Sequence, residues 1–194
     1  MTPSMKHQQQ GSMRLYSTDA QRLYLNKTER LAFKQTTENS PDNIRYLRMM
    51  LLHTGCHLSE ALNIKPDDIQ WNDGIVAIRS LKKRNQHHVR ELPVPQEFLD
   101  QLKHHLPNTN DQLIWPQHRS TAWRHIKQVM NRASITGTHA TPKGLRHSFG
   151  VHCAFSNIPM PLAQKWMGHA ALSTTAIYYQ IVGKEEREMA GRMW

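Results

Sequence analysis

Two stretches in the last third of the chain decide its interpretation: TPKGLRHSFG at residues 141–150 and MGHAALSTTAIYY at residues 167–179. They contain four chemically active side chains at successive spacings of 3, 23 and 9 residues: Lys143, Arg146, His169 and Tyr178. A phenol can attack phosphorus, and fixed positive charge stabilises the crowded oxygens of the transition state. The pattern therefore indicates phosphodiester cleavage by a tyrosine nucleophile.

The residue types suit this chemistry for separate reasons. A phosphotyrosyl bond conserves the energy of the phosphodiester, so the strand can be resealed by the reverse reaction. Arginine suits a phosphate because its planar fork makes two parallel hydrogen bonds and stays charged. The leaving 5′ oxygen needs a general acid, because its own pKa lies far above neutrality. A complete site therefore requires a further proton donor.

Charge and composition favour a polyanionic partner. The 194 residues contain 25 Lys and Arg against 15 Asp and Glu, with a net charge of +10 and a pI near 9.9. Nucleic acid is the simplest such partner, and an anionic membrane is the competing one. No apolar run approaches the roughly 20 residues of a spanning helix. No signal peptide follows the N-terminus, so we expect an intracellular chain that does not bind a membrane.

Cysteine and histidine usage points away from disulfides and metals. Cys56 and Cys153 each lie in an apolar run, which favours buried, reduced thiols. Histidines are numerous, at 13, but adjacent ones such as His87 and His88 point in different directions on a strand or helix. No CxxC or HExxH motif accompanies them. We therefore expect no metal ion and no other cofactor.

Periodicity and capping signals predict a mainly α-helical domain with a small antiparallel β-sheet. Asn26 and Glu29 form a capping-box pattern, and Gly55 and Gly168 are placed to end helices. Strands are predicted at residues 74–78 and 89–94, joined by a basic hairpin tip at 81–86. The predicted helices cover 26–36, a segment opened by Asp42 or Asn43, 58–62, 95–106, 121–133, 145–155, 161–167, a segment capped by Ser173, and 184–194.

The chain divides into three predicted parts. Residues 1–24 are polar and carry no apolar periodicity, so we expect a flexible tail. Residues 25–183 form one folded domain. Residues 184–194 are predicted to form an amphipathic helix with Met189, Met193 and Trp194 along its apolar edge, which suits docking on a neighbouring subunit.

The C-terminal motifs resemble those of the tyrosine recombinase, or phage integrase, family, whose pattern is (H/K)xxR, then GH, then TTxxY. Upstream, TGCHLSE at residues 54–60 resembles the TGxRxSE box of the family. The basic segment 81–93 resembles the family's β-hairpin with its active-site lysine. The resemblance covers about residues 25–183 and implies a catalytic-domain fold shared with type IB topoisomerases.

The resemblance implies a role for each matching residue. Tyr178 would attack the scissile phosphate and form a 3′-phosphotyrosyl bond, while Arg146 and His169 would bind its non-bridging oxygens. Lys143 stands where the family has His or Lys. Lys82, or its neighbour Lys83, would be the general acid. The residues expected to contact or support the DNA phosphates are Lys83, Arg84, Arg90 and His147.

His57 departs from the family pattern, because it stands where the TGxRxSE box has arginine. Histidine is shorter, largely neutral near physiological pH, and cannot make the bidentate fork. Loss of one preorganised donor costs about 3–4 kcal/mol, or 10²–10³-fold in rate. The sequence leaves open a slow natural site, a catalytically inactive DNA-binding regulator or accessory factor, and a substitution introduced to trap a complex.

The resemblance also implies the setting of the reaction. The substrate is expected to be duplex DNA, bound by dimers or tetramers of the chain with the help of accessory DNA-bending proteins. A bacterial cytoplasm or nucleoid is the expected location. A mobile element such as a plasmid fits the resemblance, and the sequence leaves open whether a plasmid, a phage or a chromosome carries the gene. A type IB topoisomerase that acts without sequence preference shares the same chemistry and remains an alternative.

Overall fold

The structure, a computed structural model, describes residues 14–40, 44–80, 88–106, 113–180 and 184–193. The helices in these ranges are α1 Lys27–Glu38, α2 Arg45–Thr54, α3 Leu58–Ala61, α4 Gln96–Lys103, α5 Arg119–Arg132, α6 Pro142–Phe155, α7 Met160–Met167, α8 Leu172–Ala176 and α9 Lys184–Ala190. The strands are β1 Ile69–Gln70, β2 Ile75–Arg79 and β3 Val89–Pro93. The predicted class, mainly α with a small antiparallel sheet, is confirmed.

Helix ends follow the capping signals of the sequence. The Asn26 side chain accepts a hydrogen bond from the Glu29 N–H at 2.8 Å, and the Glu29 carboxylate accepts one from the Asn26 N–H at 2.9 Å. Gly55 (φ 58°) and Gly168 (φ 67°) end α2 and α7 in the left-handed conformation that favours glycine. The helix start predicted at Asp42 or Asn43 lies outside the described residues.

The three strands form one antiparallel sheet in the order β1-β2-β3. Ile75 pairs with Pro93 and Arg79 with Val89, so β2 and β3 are antiparallel neighbours, as predicted for the two arms of the hairpin. Its tip at residues 81–87, with Lys82, Lys83 and Arg84, lies outside the described residues. The two-residue strand β1 was not predicted, because it is too short to show an alternating pattern.

Helix α6 runs through the middle of the domain. Every residue from 144 to 151 is buried, and the helix packs against α2 and α7. The packing on α2 is tight: a Cβ added at Gly55 would lie 2.5 Å from the Phe149 ring. Polar residues of α6 are therefore held rigidly inside the core.

The flexible tail predicted for residues 1–24 includes residues 14–24, which the structure packs against the domain. Leu15 and Tyr24 are 5% and 0% exposed, so both belong to the core. Tyr16 and Arg22 form an isolated β-bridge, and the Arg22 guanidinium donates to the Glu29 carboxylate at 2.6 Å. Residues 14–24 thus pack on the domain through a few separate contacts. Their sequence shows neither a helical nor a strand periodicity, so the pattern does not indicate this packing.

Two predictions near the C-terminus are also corrected. Helix α8 begins at Leu172 with Ala171 at its N-cap, so Ser173 does not cap it. Tyr178 follows in a short 3₁₀ turn, Ile177–Tyr179. Helix α9 ends at Ala190, before the predicted end at residue 194. Among the described residues, no helix is both long and apolar enough to cross a membrane.

Candidate active site

Tyr178 lies inside the domain against α6. Its hydroxyl is hydrogen-bonded to Nδ1 of His147 at 2.9 Å. Its ring stacks on the His169 imidazole, with centroids 6.0 Å apart and planes inclined by 13°. Gly150 makes room for the phenol, since a Cβ there would lie 2.6 Å from its ring. Burial raises the pKa of Tyr178, so the phenol is neutral in this conformation.

Arg146 joins the ends of two helices beside the phenol. Its guanidinium donates to the carbonyl of Gly55 at 2.7 Å and to the carbonyl of Met167 at 2.6 Å. These residues stand at the C-terminal ends of α2 and α7, where unpaired carbonyls favour a cation. Burial lowers the pKa of Arg146, but an arginine stays charged in a protein. The site therefore contains one fixed guanidinium charge from α6.

The two histidines around the phenol are neutral. Burial lowers the pKa of His147 to about 4, and the charges of Lys143 and Arg146 add to the shift. Burial, then the charges of Arg146 and His57, lower the pKa of His169 to about 3. The His169 Nδ1 is hydrogen-bonded to the Thr175 hydroxyl at 2.9 Å, which fixes the ring. Both imidazoles are thus available as neutral donors or acceptors near physiological pH.

Three buried polar atoms of this cluster lack a hydrogen-bond partner within the described ranges: Arg146 Nε, His147 Nε2 and His169 Nε2. A buried polar group left unpaired costs about 1–3 kcal/mol, so such groups seldom persist without a role. All three are nitrogens, and all three can donate. Their chemistry suits an anion such as a phosphate.

Arg90 is buried in the structure, although it is predicted from the sequence to be a DNA contact. It is 2% exposed and donates to the Glu60 carboxylate at 2.6 Å and to the Trp166 carbonyl at 2.8 Å. Burial alone would raise the pKa of Glu60, but the hydrogen bond and charge of Arg90 lower it below its ordinary value. The carboxylate also accepts the His57 N–H at 2.9 Å. This pair therefore borders the phenol cluster and lies off the surface.

His147 likewise does not face solvent. It is 1% exposed and contacts the Tyr178 hydroxyl, so the structure gives it a partner inside the protein instead of DNA. Lys143 is exposed on the first turn of α6, and its charge reaches His147. The structure thus brings Arg146, His147, His169 and Tyr178 together, with Lys143 at the edge. No metal-binding group of His, Cys, Asp and Glu occurs in the part of the chain that the structure describes.

Residues 21–185 match the model of the phage integrase family. The chain belongs to this family. The tyrosine recombinase XerA of Pyrococcus furiosus is 31% identical over 159 residues, which cover 76% of this chain and 54% of that protein. XerD of Staphylococcus haemolyticus is 28% identical over 167 residues, covering 79% of this chain and 55% of that protein. The chain spans about half the length of these relatives.

Solved structures of the integrase family share the fold. A crystal structure of XerA recombinase superposes with a TM-score of 0.75 at 24% identity, over 88% of this chain and 64% of that one. The catalytic domain of bacteriophage HP1 integrase gives a TM-score of 0.64 at 18% identity, over 87% of this chain and 93% of that one. The fold predicted from the family resemblance is confirmed.

Sequence reasoning missed three parts of this candidate site. Glu60 was quoted in the TGxRxSE box without a role, and the structure pairs it with Arg90. Thr175, in the TTxxY motif, holds the His169 ring. Gly150, which makes room for Tyr178, gave no signal beyond being a glycine inside a helix. The first two lie in motifs whose spacing could have suggested them, whereas the third requires the packing itself.

Proposed function

We propose that this chain is the catalytic domain of a site-specific recombinase that cleaves and rejoins duplex DNA through a 3′-phosphotyrosyl bond at Tyr178. The observation that carries the proposal is the buried phenol, hydrogen-bonded to His147 and enclosed by Arg146 and His169. The relatives support it, since they are tyrosine recombinases. Solved relatives include a XerH recombinase bound to its difH substrate, with a TM-score of 0.72 at 19% identity over 92% of this chain and 59% of that one.

Each reacting group has an assigned task. The Tyr178 oxygen forms a bond to phosphorus as the bond from phosphorus to the 5′ oxygen breaks. Its proton passes to a base. His147 Nδ1 lies 2.9 Å from the Tyr178 hydroxyl oxygen, and it can accept the proton when the imidazole is the tautomer protonated on Nε2. Arg146 and His169 stabilise the phosphate oxygens through their unpaired nitrogens. Lys82, or Lys83, protonates the departing 5′ oxygen, and Lys143 adds charge at the edge of the site.

Cleavage also requires a change of conformation. Tyr178 is 0% exposed, so its phenol has to leave the core before it can meet a DNA phosphate. The 3₁₀ turn that carries it spans only three residues, Ile177–Tyr179. We propose that DNA binding moves this turn outward, so that the phosphate meets the unpaired nitrogens of Arg146 and His169 while the phenol stays within reach of His147 Nδ1.

Helix α5 extends the proposed DNA surface. It contains Arg119, Arg124, Lys127 and Arg132 and no Asp or Glu. Trp123 is 40% exposed on the same helix, with the Lys127 ammonium 5.9 Å from its ring centroid. Each lysine or arginine that contacts a phosphate adds about 0.9 to the slope of log affinity against log salt. We therefore expect strongly salt-dependent binding to duplex DNA.

Assembly on DNA is proposed to use the C-terminal helix. In this structure α9 docks on its own domain, with Glu188 bound to Lys27 at 2.5 Å and the Arg192 guanidinium 4.4 Å from the Phe155 ring centroid. A cavity of about 380 Å³ beside it is lined by residues of α1 and α6, by residues flanking these helices, and by Arg192. We propose that α9 of a neighbouring copy occupies this surface when dimers or tetramers form on DNA.

A second candidate function is a DNA-binding regulator on the same fold. The observation that favours it is His57, whose imidazole cannot supply the bidentate fork of an arginine. The observation against it is the phenol of Tyr178, together with Arg146 and His169, since DNA binding alone does not need this arrangement.

Covalent trapping separates the two functions. A nicked suicide duplex, taken from DNA flanking the gene, is incubated with wild type, Tyr178→Phe and His57→Arg. The recombinase predicts an adduct with wild type, none with Tyr178→Phe, and faster formation with His57→Arg by up to about 10²-fold. A gel shift without any adduct from wild type supports the regulator. Relaxation of a supercoiled plasmid without a specific site would instead indicate a topoisomerase.

A further inference from the structure

The buried pair of Arg90 and Glu60 joins three elements of the fold. Arg90 comes from β3 and Glu60 from α3, and the guanidinium donates twice to the carboxylate, at 2.6 Å and 3.3 Å. The third nitrogen, Nε, donates to the Trp166 carbonyl in the last turn of α7 at 2.8 Å. Both side chains are nearly inaccessible, at 1% and 5% exposure. A bidentate pair in such a place fixes the geometry of its surroundings.

The same turn of α7 holds the phosphate-site arginine. Arg90 binds the Trp166 carbonyl, and Arg146 binds the next one along the chain, at Met167. The two guanidiniums are therefore neighbours, and the charge of Arg90 also contributes to the lowered pKa values of Arg146 and His169. A Cβ at Gly168 would lie 3.1 Å from the Arg90 guanidinium carbon, so the chain leading into His169 packs directly on Arg90.

Glu60 also connects Arg90 to position 57. The carboxylate oxygen that accepts from Arg90 also accepts the His57 N–H, at 2.9 Å. An arginine at position 57 would bring a second fork within one helical turn of this carboxylate. An imidazole cannot bind both carboxylate oxygens in this way. In this chain the fork that holds Glu60 comes from Arg90.

We propose that Arg90 is a positioning residue of the cleavage site. By holding Glu60 and the end of α7, it orients His57, Arg146 and His169 toward one phosphate in a chain that has no arginine at position 57. The inference rests on the proposed function. It assigns to β3 a task distinct from that of the hairpin lysine, because Arg90 acts through its partners and does not touch the DNA.

A double-mutant cycle between positions 57 and 90 tests the proposal. Single-turnover adduct formation and DNA affinity are measured for wild type, Arg90→Lys, His57→Arg and the double variant. Lysine keeps the charge and loses the fork, so Arg90→Lys is expected to slow cleavage about tenfold or more while DNA affinity changes less than about threefold. In the His57→Arg background the loss is expected to shrink to about threefold or less, because the introduced guanidinium can then bind Glu60.

The matched control is Arg79→Lys on the adjacent strand β2. Arg79 forms a comparable pair with Asp68 at 2.8 Å, but its side chain is 62% exposed. This change is expected to leave the cleavage rate within about twofold of wild type. An equal loss from Arg90→Lys in both backgrounds would mark a purely structural role and overturn the proposal, and so would an unchanged rate.

A second variant tests the proposal in case Arg90→Lys does not fold. If Arg90→Lys shows no cooperative thermal unfolding, the neutral pair Arg90→Gln with Glu60→Gln replaces it, because this pair leaves no buried charge unpaired. Folded protein with cleavage slowed about tenfold or more supports the positioning role, and wild-type cleavage overturns it. An absence of adduct from wild type, with or without one from His57→Arg, would overturn the proposed function itself. If wild type and His57→Arg both form adducts and Arg90→Lys slows cleavage equally in the two backgrounds, the Arg90 proposal alone is rejected.

Discussion

The hydrogen bond between Tyr178 and His147 is the contact on which the proposed chemistry depends. Replacing His147 by Phe removes the acceptor and leaves the buried hydroxyl with one partner fewer, at a cost of about 1–3 kcal/mol in unfolding free energy. Loss of a general base is expected to slow adduct formation about 10²-fold. His104→Gln, an exposed histidine at the end of α4, is the control. Wild-type adduct formation by His147→Phe would contradict a role for the imidazole as base.

Gly150 sets the position of the phenol by close approach. A Cβ there would lie 2.6 Å from the Tyr178 ring, so Gly150→Ala has to displace the phenol or the helix. Such overpacking typically costs about 1–3 kcal/mol, and we expect a loss of this size in chemical denaturation. Gly191→Ala is the control, because its nearest neighbour would be at an ordinary 3.6 Å. Equal stability of the two variants would show that the phenol does not pack as described.

The motif spacings predicted the residues of the cluster but not all of their surroundings. Tyr178, Arg146 and His169 were found because a reactive group needs a specific residue type, which a sequence shows directly. Arg90 is predicted as a DNA contact, whereas the structure buries it. Yet β3 alternates, with Arg90 and Leu92 both buried and Val89 exposed. The period of 2 that identified the strand could therefore have placed Arg90 inside.

Helix α9 offers a test at the level of a single element. Lys27 and Glu188 pair at 2.5 Å, but their side chains are 65% and 48% exposed, so the contact contributes at most about 1 kcal/mol. Lys27→Glu is expected to loosen α9 and to speed proteolysis within residues 184–193. The swap Lys27→Glu with Glu188→Lys is expected to restore protection. Equal proteolysis in wild type and Lys27→Glu would show that α9 does not depend on this pair.

Elements with local signals were predicted well, and elements without them were not. The Asn26 capping box and the helix-ending Gly55 and Gly168 act within one turn, so the sequence displays them. Residues 14–24 are held instead by contacts with distant parts of the core, such as buried Tyr24. Such contacts depend on the tertiary fold, and no local pattern records them.

The pH dependence of stability belongs to the whole molecule. Burial lowers the pKa of His147 and His53 to about 4, from an ordinary value of 6.5. Between these values the unfolded chain binds protons that the folded chain does not, so stability falls as pH drops from about 6.5 to about 4. For His147, which is 1% exposed, the full effect amounts to about 3 kcal/mol.

Thermal unfolding from about pH 7 to about pH 4.5 measures this effect through linkage. We expect the midpoint to fall on acidification, and to fall less steeply in His147→Phe than in wild type. Gln128→Ala, an exposed position on α5 that does not titrate, is expected to keep the wild-type slope. A wild-type midpoint that stays constant over this range would show that His147 is not buried in its neutral form.

The identity of the nucleophile is open to direct measurement, because Tyr178 and Tyr179 are adjacent phenols with different surroundings. The Tyr178 hydroxyl is hydrogen-bonded to His147, whereas the Tyr179 hydroxyl donates to the Ile158 carbonyl at 2.5 Å. The adduct with the suicide duplex is digested with nuclease and trypsin, and the nucleotide-linked peptide is fragmented in a mass spectrometer. The proposed mechanism predicts the nucleotide on Tyr178. Attachment to Tyr179, or to any other residue, would contradict it.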